Sequence, residues 1–253
     1  MASSQRKRLM DIGNLLQKNG FVEAAELSQR FGVSMETIRK DLLILADRGI
    51  AEKAHGGATL ASNGSEMMID YRLENSDRKN DIARYAVEMS AEAKSLFLDS
   101  GSTCLSCVRY LNLLPSKDIF TNSLYAFQQL DGDLHNVFLL PGKKREKNQS
   151  VIGNWAEDYI SRIQIDTYLM GTAGLFEAKG PTSHSYHELS LKQMIIERSE
   201  IVFVLADSSK FKEKGLHTVT SFEKIDGIIT DSTISKDIFE KCSKLTNILI
   251  AEA

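Results

Sequence analysis

A run of small polar residues, Asp99-Ser100-Gly101-Ser102-Thr103, follows the apolar stretch Leu96-Phe97-Leu98 and opens a helix-like segment. Strand, polar loop and helix together can cradle an anion: N–H groups of the loop and helix start converge, and the helix dipole favours negative charge there. The hydroxyls of Ser100, Ser102 and Thr103 add donors. Two later apolar runs end alike, in Thr121-Asn122-Ser123 and in Pro141-Gly142-Lys143-Lys144. Then come Gly171-Thr172-Ala173-Gly174-Leu175, Glu188 and Lys192 one helical turn apart, and Asp207-Ser208-Ser209-Lys210 behind a strongly apolar run. Each loop alone is what an ordinary helix cap looks like. Their recurrence after successive apolar runs predicts a ligand site, because ligands of open parallel sheets sit at the carboxyl ends of strands. Glu188 and Lys192 also read as a plain surface pair; Lys210 is favoured for function by the polar loop around it.

A second set of residues suits DNA. Apolar residues Met35, Ile38, Leu42 and Leu45 fall on one helical face, so Glu36, Thr37, Arg39 and Lys40 lie off it in the first turns after Ser34, a good N-cap. A recognition helix presents such turns to the major groove, where arginine or lysine bonds guanine and Ser34 or Thr37 reaches a phosphate or base. Lys53, His55 and Gly56 follow in a Gly-Gly turn that suits a wing tip near the backbone or minor groove. Taken singly, Arg39 and Lys40 are ordinary solvated charge; the order of capped helix and glycine wing points to DNA. Two spacings are decoys. Cys104-Leu-Ser-Cys107 opens a helix, where a thiol pKa can be lowered, but it has no second pair for zinc, and buried structural cysteines are the expectation. His184 and His187 lack a third ligand, so no metal and no cofactor is expected.

The elements that must hold these residues divide the chain. Leu9, Ile12 and Leu16, then Ala24, Leu27 and Phe31, then the Met35 stripe predict three short helices. Gly32 turns the chain between the second and third, and Gly49 suits the end of the third. Residues 50–54 and 58–60 around His55-Gly56-Gly57 read as a hairpin. Residues 61–65 are small and polar and start a linker. Beyond 76, apolar runs at 96–98, 119–120, 137–140, 168–170, 201–205, 228–229 and 248–250 alternate with helix-like stretches at 80–92, 103–113, 123–130, 152–163, 187–199 and 235–243. That alternation predicts a mainly parallel sheet covered on both faces. The expected domains are 1–60, a linker 61–75, and 76–253.

The 253 residues are 42 % hydrophobic and 26 % charged, ordinary globular values that exclude disorder. No apolar run approaches the roughly 20 residues of a membrane span. MASSQRKRLM has basic residues with no apolar stretch behind them, so no secretory signal is expected. Three cysteines argue against a disulfide framework and fit a reducing cytoplasm. Net charge −3 and pI about 6.0 give no hint of nucleic acid until the chain is split. Residues 1–60 hold nine basic and seven acidic residues, and the remainder holds 22 and 27. Lys143-Lys144-Arg145-Glu146-Lys147 reads as a solvated basic loop that has the charge to meet phosphate.

Phe31-Gly32-Val33-Ser34, Thr37-Ile38-Arg39-Lys40-Asp41-Leu42, Gly49 and His55-Gly56-Gly57-Ala58 together resemble the N-terminal signature of DeoR-type bacterial transcription regulators. Asp99 to Thr103, Thr121-Asn122-Ser123, the glycine-bearing strand end and Asp207-Ser208-Ser209-Lys210-Phe211 resemble the sensor domain of the same family, so the likeness spans nearly the whole chain. It implies a winged helix-turn-helix followed by an α/β domain like ribose-5-phosphate isomerase and glucosamine-6-phosphate deaminase. It also implies a phosphorylated sugar or related metabolite, held at its phosphate by residues 100–103, with Asp99, Asn122, Glu188, Lys192 and Lys210 near its hydroxyls. Departures are Lys40 and Pro141, where the family usually has arginine and glycine, and an unusual stretch at 180–187. The expected partners are operator DNA and the effector, with a homodimer or homotetramer on repeated half-sites and no membrane. The rivals are a sugar-phosphate isomerase or deaminase with an accessory N-terminal module, and a regulator answering to redox through Cys104 and Cys107.

Overall fold

A computed structural model of the chain describes residues 2–47, 51–60, 76–177 and 179–252. The expected linker 61–75 and the helix end at Gly49 lie outside the described residues. The chain forms two compact units, 1–74 and 75–253.

In the first unit, α1 (Ala2–Asn19), α2 (Ala24–Phe31) and α3 (Met35–Asp47) surround a core of Leu9, Ile12, Leu16, Leu27, Ile38, Leu42 and Leu45. Gly32 takes the left-handed conformation, φ 62°, that ends α2 and turns the chain toward α3. The hairpin forms from β2 (Ala51–Ala54) and β3 (Gly57–Leu60), with Gly56 at φ 77° in its turn. A third strand, β1 (Phe21–Glu23), pairs antiparallel with β3 and had no visible pattern at three residues. Met35 is a correction to the expected stripe: at the first turn of α3 it is 37 % exposed, while Ile38 and Leu45 are fully buried. A polar tie adds to the apolar contact of α1 and α3: Arg8 Nε donates to the fully buried Asp41 at 2.6 Å and Gln5 Nε2 at 3.2 Å.

The second unit is a seven-stranded sheet whose neighbours all pair in parallel. Its strands are β4 (Ser95–Leu98), β5 (Asp118–Thr121), β6 (Asn136–Leu139), β9 (Ile165–Gly171), β11 (Ser199–Leu205), β13 (Gly227–Asp231) and β14 (Ile248–Ala251). They lie in the order β14-β13-β11-β9-β4-β5-β6. All seven apolar runs of the sequence are these strands. Successive side chains alternate between faces. Phe97, Tyr168, Val202, Val204 and Ile228 join one core; Leu96, Leu98, Leu169, Phe203 and Ile229 join the other. Helices α4 (Ser76–Met89), α5 (Ser102–Leu111) and α6 (Leu124–Gln129) cover the second face, and α7 (Asn154–Ile160), α8 (Tyr186–Glu197) and α9 (Lys236–Cys242) the first. The basic run is not a loop: Lys143–Arg145 is β7, paired antiparallel with β8 (Ser150–Ile152). A second short pair, β10 (Thr182–Ser183) with β12 (His217–Thr218), also escaped the sequence pattern.

Candidate functional site

The sheet changes winding direction between β4 and β9, because β5 and β6 continue to one side and β11, β13 and β14 to the other. A crevice at the carboxyl ends of strands opens at such a point. Asp99 directly follows β4 there and is fastened to β9: its Oδ1 accepts from Ser100 N at 2.8 Å and its Oδ2 from Gly171 N at 3.0 Å. Lys192 of α8 donates to Asp99 Oδ2 and, at 2.9 Å, to the Gly171 carbonyl. Both side chains are almost wholly out of water. Burial alone would lower the Lys192 pKa, but the carboxylates of Asp99 and Glu188 outweigh it and hold the ammonium above its ordinary value. Gly171 is closely packed, since a Cβ would stand 3.1 Å from the Ser100 carbonyl oxygen, tighter than ordinary contact.

Glu188 opens the same buried face of α8. Its Oε1 accepts from Asn148 Nδ2 at 2.6 Å and Arg145 Nη1 at 3.2 Å, and its Oε2 from Ser183 Oγ at 3.1 Å. Glu188 and Lys192 are therefore not a surface pair; each is bonded across the crevice. Asn148 Nδ2 also reaches Ser100 Oγ at 3.2 Å, and Ser150 Oγ donates to Asn148 Oδ1 at 2.7 Å. One connected network thus joins Asp99, Ser100, Gly171, Glu188 and Lys192 of the expected residues with Arg145, Asn148, Ser150 and Ser183, which the sequence did not single out. Arg145 lay hidden in a run that looked solvated, and the others carry no local pattern.

The remaining expected residues hold distinct positions. Gly101, φ 129°, caps α5, and Ser102 and Thr103 form its half-buried first turn. Thr121 Oγ1 donates to the Leu98 carbonyl at 2.7 Å, and Ser123 Oγ accepts from Ala126 N at 3.2 Å to cap α6. Asn122, between them, is buried and its Oδ1 has no hydrogen-bond partner. Tyr168, on β9, is likewise buried, and its hydroxyl has no hydrogen-bond partner. Gly142 and Gly174 serve backbone packing: a Cβ would stand 2.6 Å from the Ile152 carbonyl and 2.1 Å from that of Glu213. Asp207 Oδ1 accepts from Ser209 N at 3.0 Å, capping the short 3-10 turn Ser208–Lys212, and Lys210 Nζ meets Glu213 Oε2 at 2.6 Å within that turn. No hydrogen bond found among the described residues joins Lys210 to the Asp99 network. The Cys104 and Cys107 thiols are fully buried, as structural cysteines are, and burial pushes them up rather than down, which tells against the redox reading.

In the first unit, Ser34 Oγ accepts from Thr37 N at 3.2 Å, fixing the start of α3. Glu36, Arg39 and Lys40 are exposed on its first turns, with Lys40 Nζ a loose 3.9 Å from Glu36. Lys53, His55 and Gly56 are exposed on the hairpin. This is a capped helix and a wing of open polar groups on an apolar three-helix core.

Residues 8–63 match the DeoR-like helix-turn-helix domain, and residues 74–232 match the DeoR C terminal sensor domain. The chain belongs to the DeoR family. It is thus a DNA-binding transcriptional regulator, with a DNA-reading module ahead of a small-molecule sensor. This DeoR-family chain is 32 % identical to the HTH-type transcriptional regulator GlpR of Haloferax volcanii over 95 % of its length and 94 % of the relative's. It is 30 % identical to the glycerol-3-phosphate regulon repressor of Escherichia coli K12 over 90 % and 91 % of the two. A ribose 5-phosphate isomerase from Methanocaldococcus jannaschii aligns over 54 % of each chain at 17 % identity and TM-score 0.39. Nothing about activity follows from likeness at that level. No described helix is long and apolar enough to cross a membrane.

Proposed function

We propose that this regulator is a repressor whose operator affinity is set by a phosphorylated sugar or related polyol phosphate. In this reading Ser34, Thr37, Arg39 and Lys40 face the major groove, Lys53, His55 and Gly56 lie against the backbone, and Glu36 tunes the contact. The phosphate rests on residues 100–103 and the N-terminal N–H groups of α5. The observation that carries it is the polar network at the switch point, with the buried Asn122 Oδ1 beside it still wanting a donor. A ligand hydroxyl supplies that donor. Relatives named for glycerol 3-phosphate favour the same ligand class. The ligand acts by differential affinity for two arrangements of the DNA-reading modules. The protein works in the cytoplasm with its DNA, as at least a dimer, because one helix-turn-helix reads only a short half-site.

Binding rather than catalysis suits the carboxylates. Asp99 is held by the Lys192 ammonium and two backbone N–H groups, and Glu188 by Asn148, Arg145 and Ser183, as groups that orient a site are. A thermal-shift screen of sugar phosphates tests the reading: stabilisation by a phosphorylated polyol, none by its unphosphorylated form, and no turnover is expected. Turnover of a sugar phosphate would instead favour an enzyme.

A further inference from the structure

Arg78, in the first turn of α4, reaches the loops behind two strands at once. Its Nη1 donates to Ser208 Oγ at 3.3 Å, beyond the end of β11, and its Nε lies 3.9 Å from Oδ1 of Asp231, the last residue of β13. α4 is the first described element after the DNA-reading unit. Its start therefore lies on the carboxyl edge of the sheet, the edge that carries the crevice.

Ser208 begins a stretch that is held at both ends. At the near end its N–H donates to Asp231 Oδ2 at 2.6 Å, and its hydroxyl lies 2.7 Å from Thr233 Oγ1. At the far end Leu175 N donates to the Lys210 carbonyl at 2.7 Å, Phe176 N to that of Glu213 at 2.8 Å, and Gly215 N to Thr182 Oγ1 at 2.7 Å. The next residue, Ser183, donates to Glu188 in the crevice network. Residues 208–215 thus run from the wall of the crevice to the first turn of α4. Arg78 adds little to the stability of that edge. Asp231 keeps Ser208 N and, at 3.0 Å, Thr233 N without it, and the Arg78 side chain is 40 % exposed. A contact this slight favours one arrangement of α4 without locking it, as a two-state joint requires.

We propose that Arg78 is a positioning residue for ligand-controlled operator binding: it fastens α4 to residues 208–215 and so couples the state of the crevice to the DNA-reading unit. This rests on the reading of the crevice as the effector site. Ligand shifts the wall at residues 182–183, Ser208 follows, and the grip of Arg78 changes; the two arrangements of α4 then differ in ligand affinity, which is what coupling demands.

Anisotropy of a labelled duplex from upstream of its own gene, bound by the full chain with and without saturating glycerol 3-phosphate or ribose 5-phosphate, tests it beside calorimetric titration of the same ligands. Arg78→Gln removes the guanidinium. Arg78→Lys keeps the charge, and with it any pull on the duplex, but lacks the fork that spans Ser208 and Asp231. A ligand that alters wild-type operator affinity about fivefold or more should alter that of both variants less than about twofold, while still binding them. Ser208→Ala, which removes the oxygen on the other side of the contact, should do the same. Thermal unfolding confirms that each variant is folded. A full response in the Arg78 variants, or their loss of ligand binding or of ligand-free operator binding, would overturn the role of Arg78 and leave the effector reading standing. A wild type that binds neither ligand, or binds one with no change in operator affinity, would overturn the effector reading and the role of Arg78 with it.

Discussion

Lys192 and Asp99 lie 93 positions apart in sequence and meet where neither has water to fall back on. Removing one partner of such a buried pair costs roughly 3–5 kcal/mol, because the other charge is left unpaired. Asp99→Ala is therefore expected to lower the free energy of unfolding by about that much in chemical denaturation, and Asp99→Ala/Lys192→Met to regain part of it. In the DNA-reading unit the exposed Arg39 is the better candidate for a base contact than Lys40, whose point charge suits phosphate. Arg39→Ala should cost about 1–3 kcal/mol of operator affinity and blunt sequence preference, measured by fluorescence anisotropy on matched and mutated duplexes. Lys40→Ala should weaken all duplexes alike.

Much of this was legible where chemistry and periodicity coincide. Asp99, Ser100, Glu188 and Lys192 announce themselves by lying at strand ends or on one helical face. Arg145, Asn148 and Ser183 do not, because their roles arise from pairings across the fold. For Cys104 and Cys107 the spacing alone also fits an activated thiol, and the packed core excludes the sulfurs from water, as expected of structural cysteines.

At the scale of elements, all seven strands of the large sheet were visible as apolar runs, since strands buried on both faces need no polar alternation. The short strands β1, β7, β8, β10 and β12 have two or three residues each, below what a period-two pattern can mark. The turn from β6 into β7 depends on Gly142, at φ 148° with the Ile152 carbonyl close by. Gly142→Ala should strain both the backbone and that contact and lower the thermal midpoint. At the opposite end of β9, Asp166 accepts from the N–H groups of Lys94 and Ser95 at 2.7 and 3.0 Å. Burial would raise its pKa, but these bonds prevail and hold it below the ordinary 3.8. A depressed carboxylate contributes stability above its unfolded-state value and loses it as pH falls through the folded-state value. Thermal midpoints should thus fall in acid below about pH 3.8 more steeply for wild type than for Asp166→Asn, which should be the less stable at pH 7; equal acid limbs would contradict this.

For the whole molecule, the whole-chain charge of −3 hides two halves with different tasks. Residues 1–60 carry nine basic against seven acidic side chains, too slight an excess for tight binding by field alone. In the proposed dimer, two modules on one duplex supply the rest, because linkage makes the second contact intramolecular. Light scattering should therefore find a dimer or larger species, and operator binding should fall steeply with salt as phosphate contacts are lost. The most direct measurement is anisotropy of a labelled duplex from upstream of its own gene, titrated with the full chain, with and without glycerol 3-phosphate or ribose 5-phosphate. Wild type should bind with an affinity that one of these ligands changes, and Ser102→Glu, which sets a carboxylate in the anion cradle, should lose that response. A response that persists in Ser102→Glu would contradict the placement of the phosphate at residues 100–103.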